Sequence, residues 1–208
     1  LWIGLADVQI RSNNNKKAIK SLDKAIKINP NRATSYLTKS SIYINSNNPK
    51  KAIKYINKAL SIDKNNEKGY FQLGNSQIML KNYQLALNSF RRAIEINPKF
   101  WQSINNEGLV LFELNQSEKA IRKFKLALQI SQNAEPMLAL SLALFSINNK
   151  SIESRDLAKN ALKLNPKYAF KEYQSKQLWG EKLQKTSTIF FKTKEMIKAV
   201  SEAQKNSQ

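Results

Sequence analysis

Shifted by 34 residues, the chain falls onto itself. Ala25, Ala59, Ala93, Ala127 and Ala161 recur at that interval, and so do Ala18, Ala52, Ala86 and Ala120, with Ser154 completing the row. Ile28, Ile62, Ile96, Ile130 and Leu164 form a third row, and Ile26, Leu60, Ile94, Leu128 and Leu162 a fourth. Leu22, Ile56, Phe90, Phe124 and Ala158 form a fifth. A period of this length belongs to stacked supersecondary units, each too small to bury its own apolar face without a neighbour.

Within a copy the spacing is helical. Ala18, Ile19, Leu22, Ala25 and Ile26 share one face of a 3.6-residue period, as do Tyr70, Leu73, Gly74 and Gln77 earlier in a copy. Each copy therefore predicts two amphipathic helices, A then B. Gly74, Gly108 and the alanine rows let helix axes approach closely. Asn13, Asn47, Asn115 and Asn149 fall at one phase after helix A, where a residue tolerant of the left-handed conformation is wanted. Ser117 and Ser151 stand where helix B needs an N-cap, with Asn15 and Pro49 at the same phase. Asn29-Pro30, Asn97-Pro98 and Asn165-Pro166 stop three of the B helices, because proline forbids their continuation. The expected fold is all-α: an α-solenoid of stacked antiparallel helix pairs.

Composition removes several chemistries. The 208 residues include no Cys and no His, which excludes disulfides, thiolate nucleophiles, Cys/His zinc sites and Ser-His-Asp triads. Glu107 with Glu113, or Glu153 with Asp156, could pose as paired carboxylates, but no base, nucleophile or metal set accompanies them. Gly69 and Gly74 lack the lysine of a phosphate-binding loop. No enzyme activity, cofactor or metal is expected. No apolar run approaches the roughly 18 to 20 residues that span a bilayer. The reading favours a soluble, cytoplasmic chain, and the start at Leu1 suggests a fragment or processed form. Lys and Arg total 35 against 15 Asp and Glu, a net charge of +20. That excess suits an acidic partner, and it equally suits a lysine-rich proteome.

The pattern resembles the tetratricopeptide repeat. It has the large aromatic early in helix A (Trp2, Tyr36, Tyr70), Leu73-Gly74, the alanine rows of helix B, the aromatics Phe90 and Phe124, and the closing proline. Copies are read at 1–32 (truncated), 33–66, 67–100, 101–134 and 135–168. Lys39 and Glu107 depart from the pattern at a normally apolar position, and Ser154 with Ala158 predicts thinner packing in the last copy. Residues 169–208 read as a capping helix and a further helical tail. A helix over Ala169–Gln184 would cover the array's end with Phe170, Tyr173, Gln177 and Leu178, leaving Lys171, Glu172, Lys176 and Lys182 in water. Thr188–Phe191 with Met196, Ile197 and Val200 suggests another helical stretch, broken near Lys192–Lys194, before a frayed Lys205–Gln208. The run Gln177-Leu178-Trp179-Gly180-Glu181-Lys182-Leu183 is similar to the tails of some cyanobacterial tetratricopeptide proteins.

The resemblance implies a right-handed superhelix whose A helices line a concave groove for a peptide or partner helix, and hence a scaffold or adaptor. Groove positions in the middle copies hold Thr34, Leu37, Thr38, Ser41, Lys68, Phe71, Gln72, Asn75, Gln102, Asn105, Asn106 and Leu109. Amides suit this task, since each offers a donor and an acceptor to a peptide backbone. Asn75 and Asn106 have the spacing of the asparagines in the carboxylate clamp for chaperone tails, but Phe71, Pro136 and Leu140 replace its cations, so that ligand is set aside. A second surface is a basic stripe on the B helices, Lys20, Lys24, Lys54 and Lys58 with Arg92 and Arg122. It offers an alternative function, docking on nucleic acid or on an acidic protein or membrane surface. Lysine binds phosphate as a point charge and does not read bases bidentately.

Overall fold

The computed structural model describes residues 1–207 and contains thirteen α-helices, one 3₁₀ turn and, among the described residues, no strand. The chain divides into two compact units, Leu1–Asn97 and Pro98 onward. The first holds α1 (Trp2–Arg11), α2 (Asn15–Ile28), α3 (Ala33–Asn45), α4 (Pro49–Ile62), α5 (Glu67–Met79) and α6 (Tyr83–Ile96). They pair as α1–α2, α3–α4 and α5–α6, and successive pairs stack through α2–α3 and α4–α5. The second unit holds α7 (Trp101–Glu113), α8 (Ser117–Ile130), α9 (Ala134–Ile147) and α10 (Ile152–Leu164). There α7–α8 and α9–α10 pair, and α8 stacks on α9.

The turn inside a pair is built by one recurring device. Asn13, Asn47, Lys81 and Asn115 adopt left-handed φ values of 56°, 54°, 59° and 61°. The amide after each reaches back to a carbonyl five residues earlier, as Asn14 N–H to Gln9 (2.8 Å) and Asn48 N–H to Tyr43 (2.8 Å). That same residue starts the next helix: the side chains of Asn14 and Asn48 accept from the amides of Lys17 and Lys51. Expectations shift as a result. Ser117, like Asn15 and Pro49, lies inside its helix, one residue past the N-cap, and Asn149 does not end α9, which stops at an extended Asn148. Ser151 does cap α10, accepting from the Ser154 amide.

Core packing inside a pair is a matter of complementary size. Gly74 faces the ring of Phe90 so closely that a Cβ would stand 2.5 Å from it, and a Cβ on Gly108 would stand 2.6 Å from the Phe124 ring. The same two places in the other pairs hold Ala6 with Leu22, Ser40 with Ile56, and Leu142 with Ala158, all fully buried. In the last pair the large and small residues have changed sides, so Ala158 leaves no thinner core. Ser154 is also accommodated: its hydroxyl donates to the Ser141 carbonyl (2.8 Å), and Ser141 returns the bond to Ser154 (2.6 Å). The Ile28 row is the least buried, with Ile28 at 71% and Leu164 at 59% exposure, because it sits where each B helix gives way to its exit.

The tail departs from the single helix expected over Ala169–Gln184. A 3₁₀ turn (Pro166–Ala169) leads into α11 (Lys171–Lys176), and the chain then breaks before α12 (Glu181–Phe191) and α13 (Lys194–Lys205). The break is another left-handed turn, with Leu178 at φ 62° and the Trp179 amide bonded back to Gln174 (3.1 Å). The interruption expected near Lys192–Lys194 lies between α12 and α13. The frayed end expected at Lys205–Gln208 runs on into Gln208, which lies outside the described residues.

Size complementarity makes a specific prediction. Gly74→Ala should lower stability by about 1–2 kcal/mol, since overpacking costs more than the ~1 kcal/mol of helix propensity that alanine restores. Phe90→Ala should cost roughly 3–5 kcal/mol. The swap Gly74→Leu with Phe90→Ala, which copies the last pair, should lose clearly less than the sum of its parts in urea denaturation.

Candidate functional site

The A helices carry the residues singled out for recognition, and the two units treat them differently. In the first unit, α3 and α5 touch directly. Thr38, Ser41, Phe71, Gln72 and Asn75 are each half-buried there, while Leu37 is buried at 7% exposure. Gln72 ties the two helices together: its carbonyl accepts from the Ser40 hydroxyl (2.5 Å) and its amide donates to Ser41 (2.7 Å). One of its N–H groups and one acceptor position are thereby committed. Phe71 leans on Phe90 at 6.1 Å between ring centres.

In the second unit, Asn105, Asn106 and Leu109 are buried at 0%, 7% and 2% exposure, so they present no surface to a ligand in this conformation. Asn105 donates to Asn106 at 3.2 Å. The cause is crowding: α7 is packed by α8, α9 and α12 together, and ten of its residues are buried. The sequence reading stops at Leu109 on this helix, yet the same face continues to Phe112 and Glu113 at helical spacing. These two meet the tail. Glu113 accepts from the backbone amides of Lys182 and Leu183, each at 3.0 Å. Lys182, expected in water, donates its ammonium to the Phe112 carbonyl (3.1 Å) and lies 4.2 Å from the centre of that ring.

Trp179 is the other residue that sequence reasoning undervalued. It is buried at 3% exposure, stacks on Tyr168 and donates its indole N–H to Glu135 on α9 (3.1 Å). A lone Trp-Gly in a tail gives no periodicity to read, and its burial follows from the break at Leu178. Burial pushes the Glu135 carboxyl from 4.5 up to about 7, and the Trp179 hydrogen bond opposes the rise only in part.

The two charged residues at apolar repeat positions are both buried and both paired. Lys39 contacts the Asp23 carboxylate and lies 4.5 Å from the Tyr55 ring centre. Burial works against its charge, but hydrogen bonds with Asp23 and Tyr55 hold the ammonium above its ordinary value. Glu107 pairs with Lys123 at 2.6 Å. The carboxylates that could have served as catalytic pairs thus have structural duties: Glu107 in an ion pair and Glu113 on α12. Glu153 lies 3.9 Å from Lys125.

Of the basic stripe, Lys20, Lys24, Lys54 and Lys58 are exposed in the first unit. Lys24 lies over the Trp2 ring at 4.4 Å, and Arg92, also exposed, pairs with Glu95 at 2.9 Å. Arg122 is exposed in the second unit. These positions amount to a solvated charge surface and point to no particular ligand. Among the described residues no acidic cluster could hold a metal ion, and no helix is long and apolar enough to cross a membrane.

Helix pairs closed by left-handed turns and stacked B helix to A helix define an α-solenoid, a fold that works by presenting side chains along its helices. The first three helix pairs of this chain are tetratricopeptide repeats. Models of that repeat match residues 1–32, 33–66 and 67–100. No curated protein matches the sequence. Among solved structures, PilF of Pseudomonas aeruginosa is similar with a TM-score of 0.70 at 20% identity, covering 97% of this chain and 96% of that one. MamA is similar with a TM-score of 0.66 at 24% identity, covering 79% and 96%. YrrB, described as a TPR protein with an unusual peptide-binding site, gives 0.62 at 20% identity, covering 84% and 90%. At such identities the likeness is one of fold.

Glu135 makes stability depend on pH. A carboxyl whose folded value exceeds its unfolded one holds its proton more tightly in the folded chain. Stability should therefore be greatest below about pH 4.5, fall as pH rises towards about 7, and level off above. The drop should be roughly 3 kcal/mol, from the upward shift at 1.36 kcal/mol per unit. Glu135→Gln should flatten this slope in urea titrations monitored across that range.

Proposed function

We propose that this protein is an interaction scaffold that binds a peptide or extended partner segment on the A-helix face of its first unit. The observation that carries the reading is the contrast between the units. On α3 and α5, Thr38, Ser41, Phe71 and Asn75 keep part of their surface in solvent, while the A helices of the second unit are covered by their own chain. An aromatic flanked by hydroxyl and amide groups gives a ligand one apolar anchor and several backbone partners. The Ser40–Gln72–Ser41 bridge keeps α3 and α5 in register, so little ordering is left for the moment of binding. The peptide-binding description of the similar YrrB structure agrees with this use of the fold. The basic stripe is the alternative docking surface, for nucleic acid or an acidic partner, and it rests on charge alone.

The two surfaces respond oppositely to salt, because exposed charges lose their reach once the screening length falls to a few Å. Affinity capture from the native host should retain the partner at about 0.5 M salt. Asn75→Ala with Thr38→Ala should weaken it on the order of tenfold, as truncating central polar contacts does. Reversing Lys20, Lys24, Lys54 and Lys58 to Glu should leave it bound. If the reversal and the high salt each abolish capture while the Asn75 and Thr38 changes do nothing, the A-helix reading is wrong.

A further inference from the structure

The tail of the second unit contains two kinds of packing. The 3₁₀ turn and α13 close on α10, the end of the stack, as a cap must. Helix α12 instead lies on α7 and α9, the first helices of two successive pairs. Its first turn is at the C-terminal end of α7, and its last turn places Phe190 4.5 Å from Phe145 of α9.

The attachment of α12 has the form of recognition. A helix start leaves amide donors without internal partners, and the Glu113 carboxylate takes two of them, Lys182 and Leu183. Glycine at 180 suits that approach: a Cβ there would stand 2.2 Å from the Glu113 Cδ, so the carboxylate would have to shift away from the two amides. Trp179 fills a slot beside Tyr168 with its polar tip on Glu135, the usual chemistry of an aromatic anchor. The apolar seam behind these contacts is thin: only Leu183, Ser187 and Phe190 of α12 are buried, and Ile189 is 63% exposed. Leu178 is held at φ 62°, a conformation that L side chains resist and that persists only while its surroundings impose it.

We infer that the α7–α9 face is a receptor for the N-terminus of an amphipathic helix entered by Trp-Gly, and that Leu178–Phe191 is its resident occupant. A partner helix of the same chemistry takes this face only by displacing that segment. The inference rests on the scaffold reading but concerns a different face, and the test below uses no partner captured by α3 and α5.

The test titrates a fluorescein-labelled peptide of residues 177–192 into the full chain and follows anisotropy. Wild type should bind it weakly, because the face is filled. Gly180→Ala should evict the resident segment, leave the receptor intact and bind the peptide about tenfold tighter or more, equivalent to 1.4 kcal/mol. Trp179→Ala in the chain should act in the same direction. Glu113→Ala should also loosen α12, seen as faster amide exchange over 182–191, yet bind the peptide no better than wild type because the acceptor is gone. The inference is overturned if neither tail variant gains peptide affinity although exchange over 182–191 has quickened. It is equally overturned if Glu113→Ala binds as tightly as Gly180→Ala, or if exchange stays unchanged in both tail variants. Loss of overall helicity by circular dichroism in both tail variants would make the segment part of the core and also overturn it.

Discussion

Everything in this protein depends on how near helix A can come to helix B within a pair. The approach is set by two buried places whose sizes are complementary: Gly74 under Phe90, Gly108 under Phe124, Ala6 with Leu22, Ser40 with Ile56. A protein interior packed at crystal density tolerates one large and one small residue there and rejects two large ones. Because the sum matters, the last pair can hold Leu142 with Ala158 and keep the same geometry. Fixed spacing within pairs then lets pairs stack B on A, and stacking supplies the burial that no single pair achieves.

Much of this was legible in the sequence because a repeat writes the same physics several times. The alanine rows, the asparagines after helix A and the prolines after helix B located the helices. What stayed hidden was what occurs once. The compensation at Leu142 and Ala158 needs both members of a pair read together, and a row-by-row reading sees only a weakened aromatic row. Lys81 adopts the left-handed turn that its asparagine counterparts adopt, although lysine has no special tolerance for it. Neighbouring turns, not the residue, dictate that conformation. The break at Leu178 is illegible for the same reason: nothing in Gln-Leu-Trp-Gly forbids a helix as firmly as a proline would.

The candidate site was legible in part. Helical phase placed Thr38, Ser41, Phe71, Gln72 and Asn75 on one face of α3 and α5, but phase says nothing of what lies over a face. Asn105, Asn106 and Leu109 occupy equivalent phases on α7 and are enclosed. The same limit applies to buried charge. Lys39 and Glu107 look like defects at apolar positions until Asp23 and Lys123 are seen across the helix boundary. Breaking either pair would leave a charge without its partner in a poorly solvated place, which constrains their neighbours more than an apolar residue would.

Repeats one after another expose A-helix surface, and an array must cover what it does not use. α13 covers the end of the stack, whereas α12 covers α7 and α9 with Phe190 against Phe145 and with its start held by a carboxylate, a glycine and one tryptophan. A seam held by area resists local change, while a seam held by a few directional contacts can be undone at any one of them. Glu135 adds to that vulnerability, since burial pushes its carboxyl up to about 7 and it accepts the Trp179 indole N–H directly. The hold on α12 is therefore concentrated where a single competing helix start, or the loss of a single proton from Glu135, acts on it.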